Sequence, residues 1–314
     1  MTPPRRALLV FVDGVGIGEG DPEHNPFAAA PLPGITGLLG GRRPVREQLD
    51  GDGRIVSDRA VLVAADATME VEGTPQSGTG QTALLTGRNA AAEYGRHFGP
   101  WVPTDLRPML ARENLLRRAA DAGRSTAFAN AYPLAGGDPR IFRRPAAPPL
   151  VAQSVGALVR GAAELFAGDA VASSITHERW TEHLGAEVPQ VTAEDAARTL
   201  ARIAGEAELT LFAHYDTDYS GHRGGLDAGL AAVGKLDRFL GALAEALPPD
   251  LLLVVSSDHG NLEDARGGHT RNRVPVLAMG PGREAFAGVR AITDVAPAIL
   301  NALHIHPPRE AEQS

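Results

Sequence analysis

Short apolar runs alternate along the chain with helical patterns. Four such runs stand directly before polar, glycine-containing turns: Ala7–Val12, Leu209–Ala213, Leu251–Ser256 and Val274–Met279. Patterns rich in Ala, Leu, Arg and Glu predict helices over Glu113–Ala122, Ala193–Glu206, Leu226–Leu247 and Asp294–Leu303. Continuous apolar strands that alternate with helices are typical of a parallel sheet covered on both faces. The pattern therefore predicts an α/β fold with three layers and a mainly parallel sheet.

The alternation breaks between residues 133 and 190. Prolines and arginines crowd the start of this stretch, and its one clear helical pattern covers Val151–Phe166. We expect residues 1–132 and 191–314 to form the core, and residues 133–190 to form a small cap or insertion over the sheet edge. The alternative interpretation is an elaborated crossover within one core.

The composition narrows the classes of function. The 314 residues include 30 Lys and Arg against 38 Asp and Glu, a net charge of −8 at pH 7, so no basic surface for nucleic acid is expected. Cysteine is absent, which excludes disulfides, thiolate nucleophiles and thiolate metal ligands. Lys235 is the only lysine, which leaves Schiff-base and P-loop chemistry almost no candidate. No apolar run approaches the roughly 20 residues of a membrane span, and no cleavage signal follows the first apolar run, so we expect a cytoplasmic protein without a membrane partner.

Three carboxylates follow three of the predicted strands. Asp13 comes directly after the first strand, Asp218 a few residues after the second, and Asp258 shortly after the third. The carboxyl ends of parallel strands meet at one edge of a sheet, where open α/β folds bind ligands. Converging carboxylates repel one another unless a cation neutralises them. The sequence therefore predicts a cation site at this edge.

Three histidines lie in the same segments: His222, His259 and His269. Imidazole and carboxylate ligands without thiolate suit Zn, Mn, Co or Fe(II) better than Mg or Ca alone. Six such groups exceed one tetrahedral site, so we infer two metal ions roughly 3.5–4 Å apart. Each residue taken alone is equally typical of a turn, a helix cap or a surface histidine. His214 and Asp216 lie close enough in sequence to be alternatives to the ligands named here.

A glycine-containing segment, Thr74–Arg88, leads small residues into an Ala-Leu-Leu helix. A hydroxyl at a helix N-terminus lies beside free backbone N–H groups and the positive end of the dipole, an arrangement that holds phosphate. A nearby metal would lower the pKa of that hydroxyl and make it a nucleophile. The candidates are Ser77 and Thr79; an ordinary N-cap in a turn is the alternative interpretation.

The ordered set of motifs resembles the alkaline phosphatase superfamily, closest to its branch of cofactor-independent phosphoglycerate mutases and phosphopentomutases. Five blocks carry the resemblance, in this chain order: Asp13-Gly-Val-Gly-Ile-Gly, Ser77-x-x-Gly80, Asp218-x-x-Gly-His222, Asp258-His259-Gly-Asn-x-Glu263 and His269-Thr-x-Asn-x-Val-Pro275. The blocks frame the two ends of the chain, whereas roughly its middle third matches no block.

The resemblance implies an alkaline-phosphatase-like core and a specific set of ligands. It implies that one metal is held by Asp13, Ser77, Asp258 and His259. It implies that a second metal is held by Asp218, His222 and His269. It also implies that Ser77 is the nucleophile, with Thr79 the alternative, and that Mn or Zn ions assist a covalent phospho-enzyme mechanism. Four polar residues are expected in a surrounding shell that orients the histidines: Asn261, Glu263, Thr270 and Asn272.

Two departures from the mutases bear on the reaction. Gln81 stands where the mutases have a histidine, and glutamine does not shuttle protons near neutral pH. The unmatched middle of the chain is also short for a domain that must retain an intermediate and exclude water. We therefore expect hydrolysis of a small phosphorylated metabolite, with phosphomutase chemistry as the alternative and a non-catalytic phospho-ligand-binding protein as the second alternative. Five residues are candidates for binding the substrate: Gln81, Arg88, Arg140, Arg143 and Arg144.

Overall fold

A seven-stranded sheet forms the centre of the protein. The computed structural model describes residues 3–133, 143–185, 187–223 and 225–306. The strands are β1 (Arg6–Val12), β2 (Arg54–Val56), β3 (Ala60–Ala65), β4 (Thr126–Phe128), β5 (Leu209–His214), β6 (Leu251–Ser256) and β7 (Val274–Met279). They are arranged in the order β2-β3-β7-β6-β1-β5-β4. All four predicted strands are confirmed.

The four adjacent strands β4, β5, β1 and β6 run parallel, which confirms a mainly parallel centre. β7 instead pairs antiparallel with both β6 and β3, and β2 pairs antiparallel with β3. Parallel neighbours need a crossover, usually a helix, whereas antiparallel neighbours need only a loop. Among the elements described, no strand or helix separates β6 from β7, so the chain reverses direction there.

Helices cover both faces of the sheet. The described residues form thirteen α-helices: α1 (Pro26–Ala29), α2 (Pro33–Leu38), α3 (Ser77–Thr86), α4 (Ala90–Tyr94), α5 (Arg107–Glu113), α6 (Leu115–Asp121), α7 (Ala147–Ser154), α8 (Ala162–Ala167), α9 (Glu178–Leu184), α10 (Ala193–Glu206), α11 (Asp216–Arg223), α12 (Gly225–Ala246) and α13 (Val295–Ala302). Short 3₁₀ segments lie at Arg46–Gln48, Thr104–Leu106, Arg283–Gly288 and Ile292–Asp294. Among the described residues, no helix is long and apolar enough to cross a membrane.

Alternate residues of β1 point into two different cores. Ala7, Leu9 and Phe11 pack with α3, α6, α7 and α13 on one face of the sheet. Leu8, Val10 and Val12 pack with α2, α10 and α12 on the other. Successive side chains of a strand face opposite sides of a sheet, so a run that is apolar throughout is buried on both. The predicted three-layer α/β architecture is confirmed.

Local sequence signals fix the helix that precedes β5. Thr192 accepts a hydrogen bond from the Asp195 backbone N–H at 3.1 Å, and the Asp195 carboxylate accepts one from the Thr192 backbone N–H at 3.3 Å. This reciprocal capping box satisfies two backbone donors that helix geometry leaves unpaired.

The segment after residue 143 differs from its predicted helix. The prediction of a single helix over Val151–Phe166 is wrong. The chain forms two helices there, α7 and α8, and the break between them contains Gly156 at φ 71°. α7 packs into the main core, whereas Leu165 of α8 and Trp180 of α9 belong to a separate small cluster. The division into a core and a cap at residues 133–190 stays a prediction.

Candidate metal centre

The carboxyl ends of β1 and β6 bring the first cluster together. Asp13, Asp258 and His259 each offer a ligand atom, and these atoms lie within 4.8 Å of one another. His259 Nε2 is 3.3 Å from Asp13 Oδ1 and 3.6 Å from Asp258 Oδ2. All three side chains are almost fully buried. Phe11 of β1 pairs with Ser256 of β6, and this register places the residues that follow the two strands side by side.

The N-terminus of α3 brings Ser77 to this first cluster. Ser77 Oγ lies 3.0 Å from His259 Nε2, and the serine is buried. The helix approaches so closely that a Cβ atom at Gly80 would lie 2.7 Å from the Asp258 carbonyl oxygen. A glycine at this position therefore lets the start of α3 lie close to the Asp258 backbone, with the Ser77 hydroxyl beside His259.

The Thr79 hydroxyl is oriented differently. It donates within 3.3 Å of the Gln76 carbonyl oxygen and accepts a hydrogen bond from the Phe98 backbone N–H at 3.2 Å. Its contacts are therefore with the backbone around the start of α3, whereas the Ser77 hydroxyl faces the histidine.

The second cluster consists of Asp218, His222 and His269, whose ligand atoms also lie within 4.8 Å of one another. Asp218 and His222 stand four residues apart on α11, a spacing that places both on one face of a helix. His222 Nε2 is 3.5 Å from Asp218 Oδ2 and 3.0 Å from His269 Nε2. His269 comes from the loop between β6 and β7.

The two clusters form one continuous site. The rings of His259 and His269 stack with centroids 3.8 Å apart, which joins a residue of each cluster. Asp218 packs against Gly14, where a Cβ atom would lie 2.5 Å from Asp218 Oδ1 and where φ is 65°. The site is thus assembled across the edge where β1, β5 and β6 end, as predicted for the carboxylates.

The electrostatics of the site fit bound cations. Burial raises the pKa of Asp13 well above its usual range, and the charge of Asp218 raises it further. Burial also raises the pKa of Asp258, with the charge of Asp13 adding to the effect. Asp13 Oδ1 and Asp258 Oδ2 are buried and receive no hydrogen bond from the described residues. Buried carboxylate oxygens without donors are costly in a protein alone and are suited to a metal ion.

Asp218 has the opposite electrostatic character. Burial opposes its ionisation, but a hydrogen bond with His269 and the nearby charges of His259 and His222 outweigh that effect and lower its pKa to about 2. A carboxylate that stays ionised between histidines is a suitable ligand for the same kind of cation.

The four residues expected around the histidines form a network centred on Glu263. Glu263 accepts hydrogen bonds from Thr270 Oγ1 and Asn272 Nδ2, and Asn261 Nδ2 donates to Asp218 Oδ1 at 2.6 Å. The histidine rings are held by backbone carbonyls instead. His269 Nδ1 lies 3.0 Å from the Pro75 oxygen, and His259 Nδ1 lies 3.3 Å from the Gly260 oxygen.

The candidates for substrate binding are not gathered in one place. Gln81 Nε2 donates to Asp13 Oδ2 at 3.3 Å, so it lies beside the first cluster. Arg144 lies over the Trp101 ring, in a cavity that Asp13 also lines. Arg88 is at the far end of α3, where it pairs with acidic side chains, and Arg143 is exposed at the surface. Arg140 lies outside the described residues.

The two alternative ligands near Asp218 have other contacts. His214 Nδ1 lies 2.7 Å from the Ser173 carbonyl oxygen. Asp216 pairs with Arg179 at 2.9 Å and with Lys235 at 3.6 Å. The structure therefore places the only lysine in an ion-pair network beside the centre.

Sequence reasoning missed three aromatic residues near the first cluster. Trp101, Tyr132 and Tyr215 line the same cavity as Asp13 and Gln81. Tyr215 directly follows β5, so its place at the carboxyl edge was a usable signal. Trp101 and Tyr132 come from loops without periodicity, and nothing in the local sequence marks them.

Comparisons with known proteins agree with this geometry. The chain is 33% identical over 132 residues to a 2,3-bisphosphoglycerate-independent phosphoglycerate mutase of Cereibacter sphaeroides, a match that covers 39% of this chain and 26% of that protein. The enzyme of the same name from Acinetobacter baylyi is 30% identical over 135 residues, with 40% and 26% covered. The chain thus spans about a quarter of the length of these curated relatives.

Solved structures share the fold at low identity. The alkaline phosphatase from the Antarctic bacterium TAB5 superposes with a TM-score of 0.56 at 14% identity, covering 98% of this chain and 100% of that one. The phosphonate monoester hydrolase of Agrobacterium radiobacter gives a TM-score of 0.53 at 13% identity, covering 98% and 74%. A family model described as the Metalloenzyme superfamily matches residues 151–307, which is half of the chain. The chain therefore belongs to the metalloenzyme superfamily and has an alkaline-phosphatase-like fold.

Proposed function

We propose that this protein is a metal-dependent phosphoryl-transfer enzyme that hydrolyses small phosphoesters through a phosphoserine at Ser77. The observation that carries the proposal is the position of the Ser77 hydroxyl. It lies at a helix N-terminus, 3.0 Å from His259 Nε2, in the cluster that also contains Asp13 and Asp258. A hydroxyl in that position is suited to attack a phosphoryl group bound at the same edge.

Two groups of residues would hold the cations: Asp13, Ser77, Asp258 and His259; Asp218, His222 and His269. Mixed carboxylate and imidazole ligands favour Mn or Zn. When bound, the cations would supply the positive charge that lowers the pKa of the serine hydroxyl and stabilises negative charge on phosphoryl oxygens.

The protein's own residues account for the remaining steps. Ser77 Oγ gives up its proton to solvent and attacks phosphorus, so that the Oγ–P bond forms while the bond from phosphorus to the leaving oxygen breaks. The leaving oxygen takes up one proton from solvent, so the number of protons is conserved. The N-terminus of α3 stabilises the negative charge next to Ser77. Water then breaks the Oγ–P bond, which releases inorganic phosphate and restores the serine. Gln81, bonded to Asp13 and to the Ala147 backbone, keeps that carboxylate in place.

Phosphomutase chemistry is the second candidate, because the curated relatives with 30–33% identity are named phosphoglycerate mutases. The two reactions differ in what accepts the phosphoryl group from Ser77. Water gives hydrolysis, whereas a second hydroxyl of the substrate gives a rearranged ester. Gln81 cannot shuttle a proton to such a hydroxyl near neutral pH, which favours water.

The test combines elemental analysis with Ser77→Ala and a matched Thr79→Val control. We expect the purified protein to retain or rebind Mn or Zn and to release inorganic phosphate from an aryl phosphate. Ser77→Ala should lower turnover by at least about a thousandfold, whereas Thr79→Val should retain most of it. Rearranged ester without free phosphate would support the mutase. A protein that binds no transition metal, or that turns over equally well without Ser77, would refute the proposal.

A further inference from the structure

A cavity of about 360 Å³ opens beside the first cluster. Asp13 and Gln81 line its inner end, and Asp13 Oδ1 is 3.3 Å from the same His259 nitrogen that lies 3.0 Å from Ser77 Oγ. A group that leaves from a phosphoryl unit on Ser77 therefore has this cavity next to it. The volume lies in the range of small-molecule sites and is large enough for one or two rings.

Side chains that carry rings form most of the wall of this cavity. Tyr132 and Tyr215 contribute two phenol rings, and the rings of three prolines, Pro100, Pro145 and Pro149, contribute further apolar surface. The tyrosine hydroxyls lie 3.2 Å apart and hydrogen-bond to each other, so a ligand does not have to supply a partner for either hydroxyl. Since aromatic side chains favour aromatic ligands, the rings of Trp101, Tyr132 and Tyr215 point to an aromatic group.

The tyrosine walls are held in place by the sheet. The Tyr215 ring packs edge-on against Phe11 of β1 with centroids 6.1 Å apart, and Tyr132 packs against Phe128 of β4 at 5.8 Å. Both phenylalanines are fully buried. A wall fixed by core residues needs little ordering when a ligand binds, which preserves affinity.

A planar cation, the Arg144 guanidinium, also lines the cavity. The Arg144 guanidinium lies over the Trp101 indole with 4.5 Å between its central carbon and the ring centroid. The guanidinium and the indole are both planar groups on which a further aromatic ring can stack.

From these observations we infer that the cavity is the leaving-group subsite and that it selects phosphoesters of a planar aromatic group over those of a saturated or small polar alcohol. The inference rests on the proposed function, because the phosphoryl unit has to lie at Ser77 for its leaving group to enter the cavity.

Two non-hydrolysable ligands of similar size test the inference without depending on turnover. Phenylphosphonate is flat, cyclohexylphosphonate is not, and calorimetry on the metal-loaded protein gives both affinities. We expect phenylphosphonate to bind about fivefold more tightly, a ratio that corresponds to about 1 kcal/mol. Trp101→Leu and Arg144→Gln should each reduce the ratio of the two affinities towards one. Arg88→Gln is the control and should leave the ratio unchanged, because Arg88 pairs with Glu93 and Glu113 and does not line this cavity.

Tryptophan fluorescence gives an independent readout, because the chain has two tryptophans. Trp101 lines the cavity, whereas Trp180 is buried in the separate small cluster. Phenylphosphonate should change the emission of Trp180→Phe, which retains Trp101, and leave that of Trp101→Phe unchanged. Equal affinities for the two phosphonates in the unaltered protein, with Ser77-dependent turnover intact, would overturn the subsite alone. Failure of both phosphonates to bind, together with turnover that does not depend on Ser77, would overturn the proposed function as well.

Discussion

Replacing Glu263 with glutamine tests how the loops of the metal centre are held together. Glu263 is almost fully buried and carries no proposed metal ligand atom. Its Oε2 accepts hydrogen bonds from the Gly16 and Asn261 backbone N–H groups, both at 2.8 Å. Its Oε1 accepts from Thr270 and Asn272. One carboxylate therefore ties together the loop after β1, the loop after β6 and the segment that follows His269.

The magnitude follows from these four bonds. The side-chain oxygen of glutamine can still accept from the Gly16 and Asn261 backbone N–H groups. Loss of the negative charge weakens each of these two hydrogen bonds by about 1 kcal/mol. The glutamine NH₂ group faces the other two donors. The Thr270 hydroxyl can turn and accept, whereas Asn272 loses a partner at a cost of up to about 2 kcal/mol unless its amide flips. Glu263→Gln should therefore lower the free energy of unfolding by about 2–4 kcal/mol.

Urea denaturation of metal-loaded and chelated protein measures that loss, and competition with a chromogenic chelator measures metal affinity. We expect Glu263→Gln to weaken metal binding by about 10–100-fold, as is typical when residues that support ligands are changed. Glu284→Gln is the matched control, because Glu284 is exposed and pairs only loosely with Arg283. Its effect should stay within about 0.5 kcal/mol. If the two variants behave alike in both measurements, the carboxylate does not hold the loops.

Three further outcomes are expected. Removing metal should destabilise the protein increasingly as pH rises above about 4. The reason is that the pKa values of Asp13 and Asp258 are raised, so the folded apo-protein retains protons that the unfolded chain has lost. A difference in melting temperature between loaded and chelated protein that does not change with pH would contradict this. Gly80→Ala should impair metal binding in the same competition assay, since its Cβ would lie 2.7 Å from the Asp258 carbonyl oxygen, whereas Gly37→Ala, with nothing within 4 Å, should not. Thr192→Ala removes the capping hydroxyl of α10 and should cost about 1 kcal/mol in urea denaturation with metal content unchanged; an unchanged midpoint would show that the cap is dispensable.

Most of the strands predicted from sequence have a long, local apolar pattern, but one strand with the same kind of pattern was missed. β1, β5, β6 and β7 are apolar runs of six or seven residues, whereas β2 and β4 have three residues each and leave no periodic signal. β3 (Ala60–Ala65) is a buried apolar run of six residues that is not among the predicted strands, although it is as long as β7. A predicted helix failed at Val151–Phe166, where a glycine with positive φ interrupts an otherwise helical pattern. β7 runs antiparallel to β6 because no crossover helix separates the two strands. The apolar residues of β7 itself do not encode this direction.

The candidate site divides in the same way. The carboxylates and histidines follow strand ends, so the rule for parallel sheets is enough to bring them to one edge. The hydrogen-bond partners of the histidines are backbone carbonyls of Pro75 and Gly260, and residue type does not encode such partners. Trp101 and Tyr132 line one cavity because the irregular loops that carry them come together there, and no local pattern in the sequence marks this.

Most of the proposed metal ligands lie in the half of the chain that the family model matches, whereas most walls of the proposed leaving-group cavity precede that half. The residues that the family model matches, 151–307, contain the whole second cluster together with Asp258 and His259. Asp13 and Ser77 come from the first half of the chain, and the sheet register and the close approach of α3 bring them to the same histidine nitrogen. The cavity walls at Trp101, Tyr132 and Arg144 also precede residue 151. Under the proposed function and the proposed leaving-group subsite, members of this superfamily that share the metal ligands but differ at the positions of Trp101, Tyr132 and Arg144 should therefore keep phosphoryl transfer and differ in the leaving group they accept.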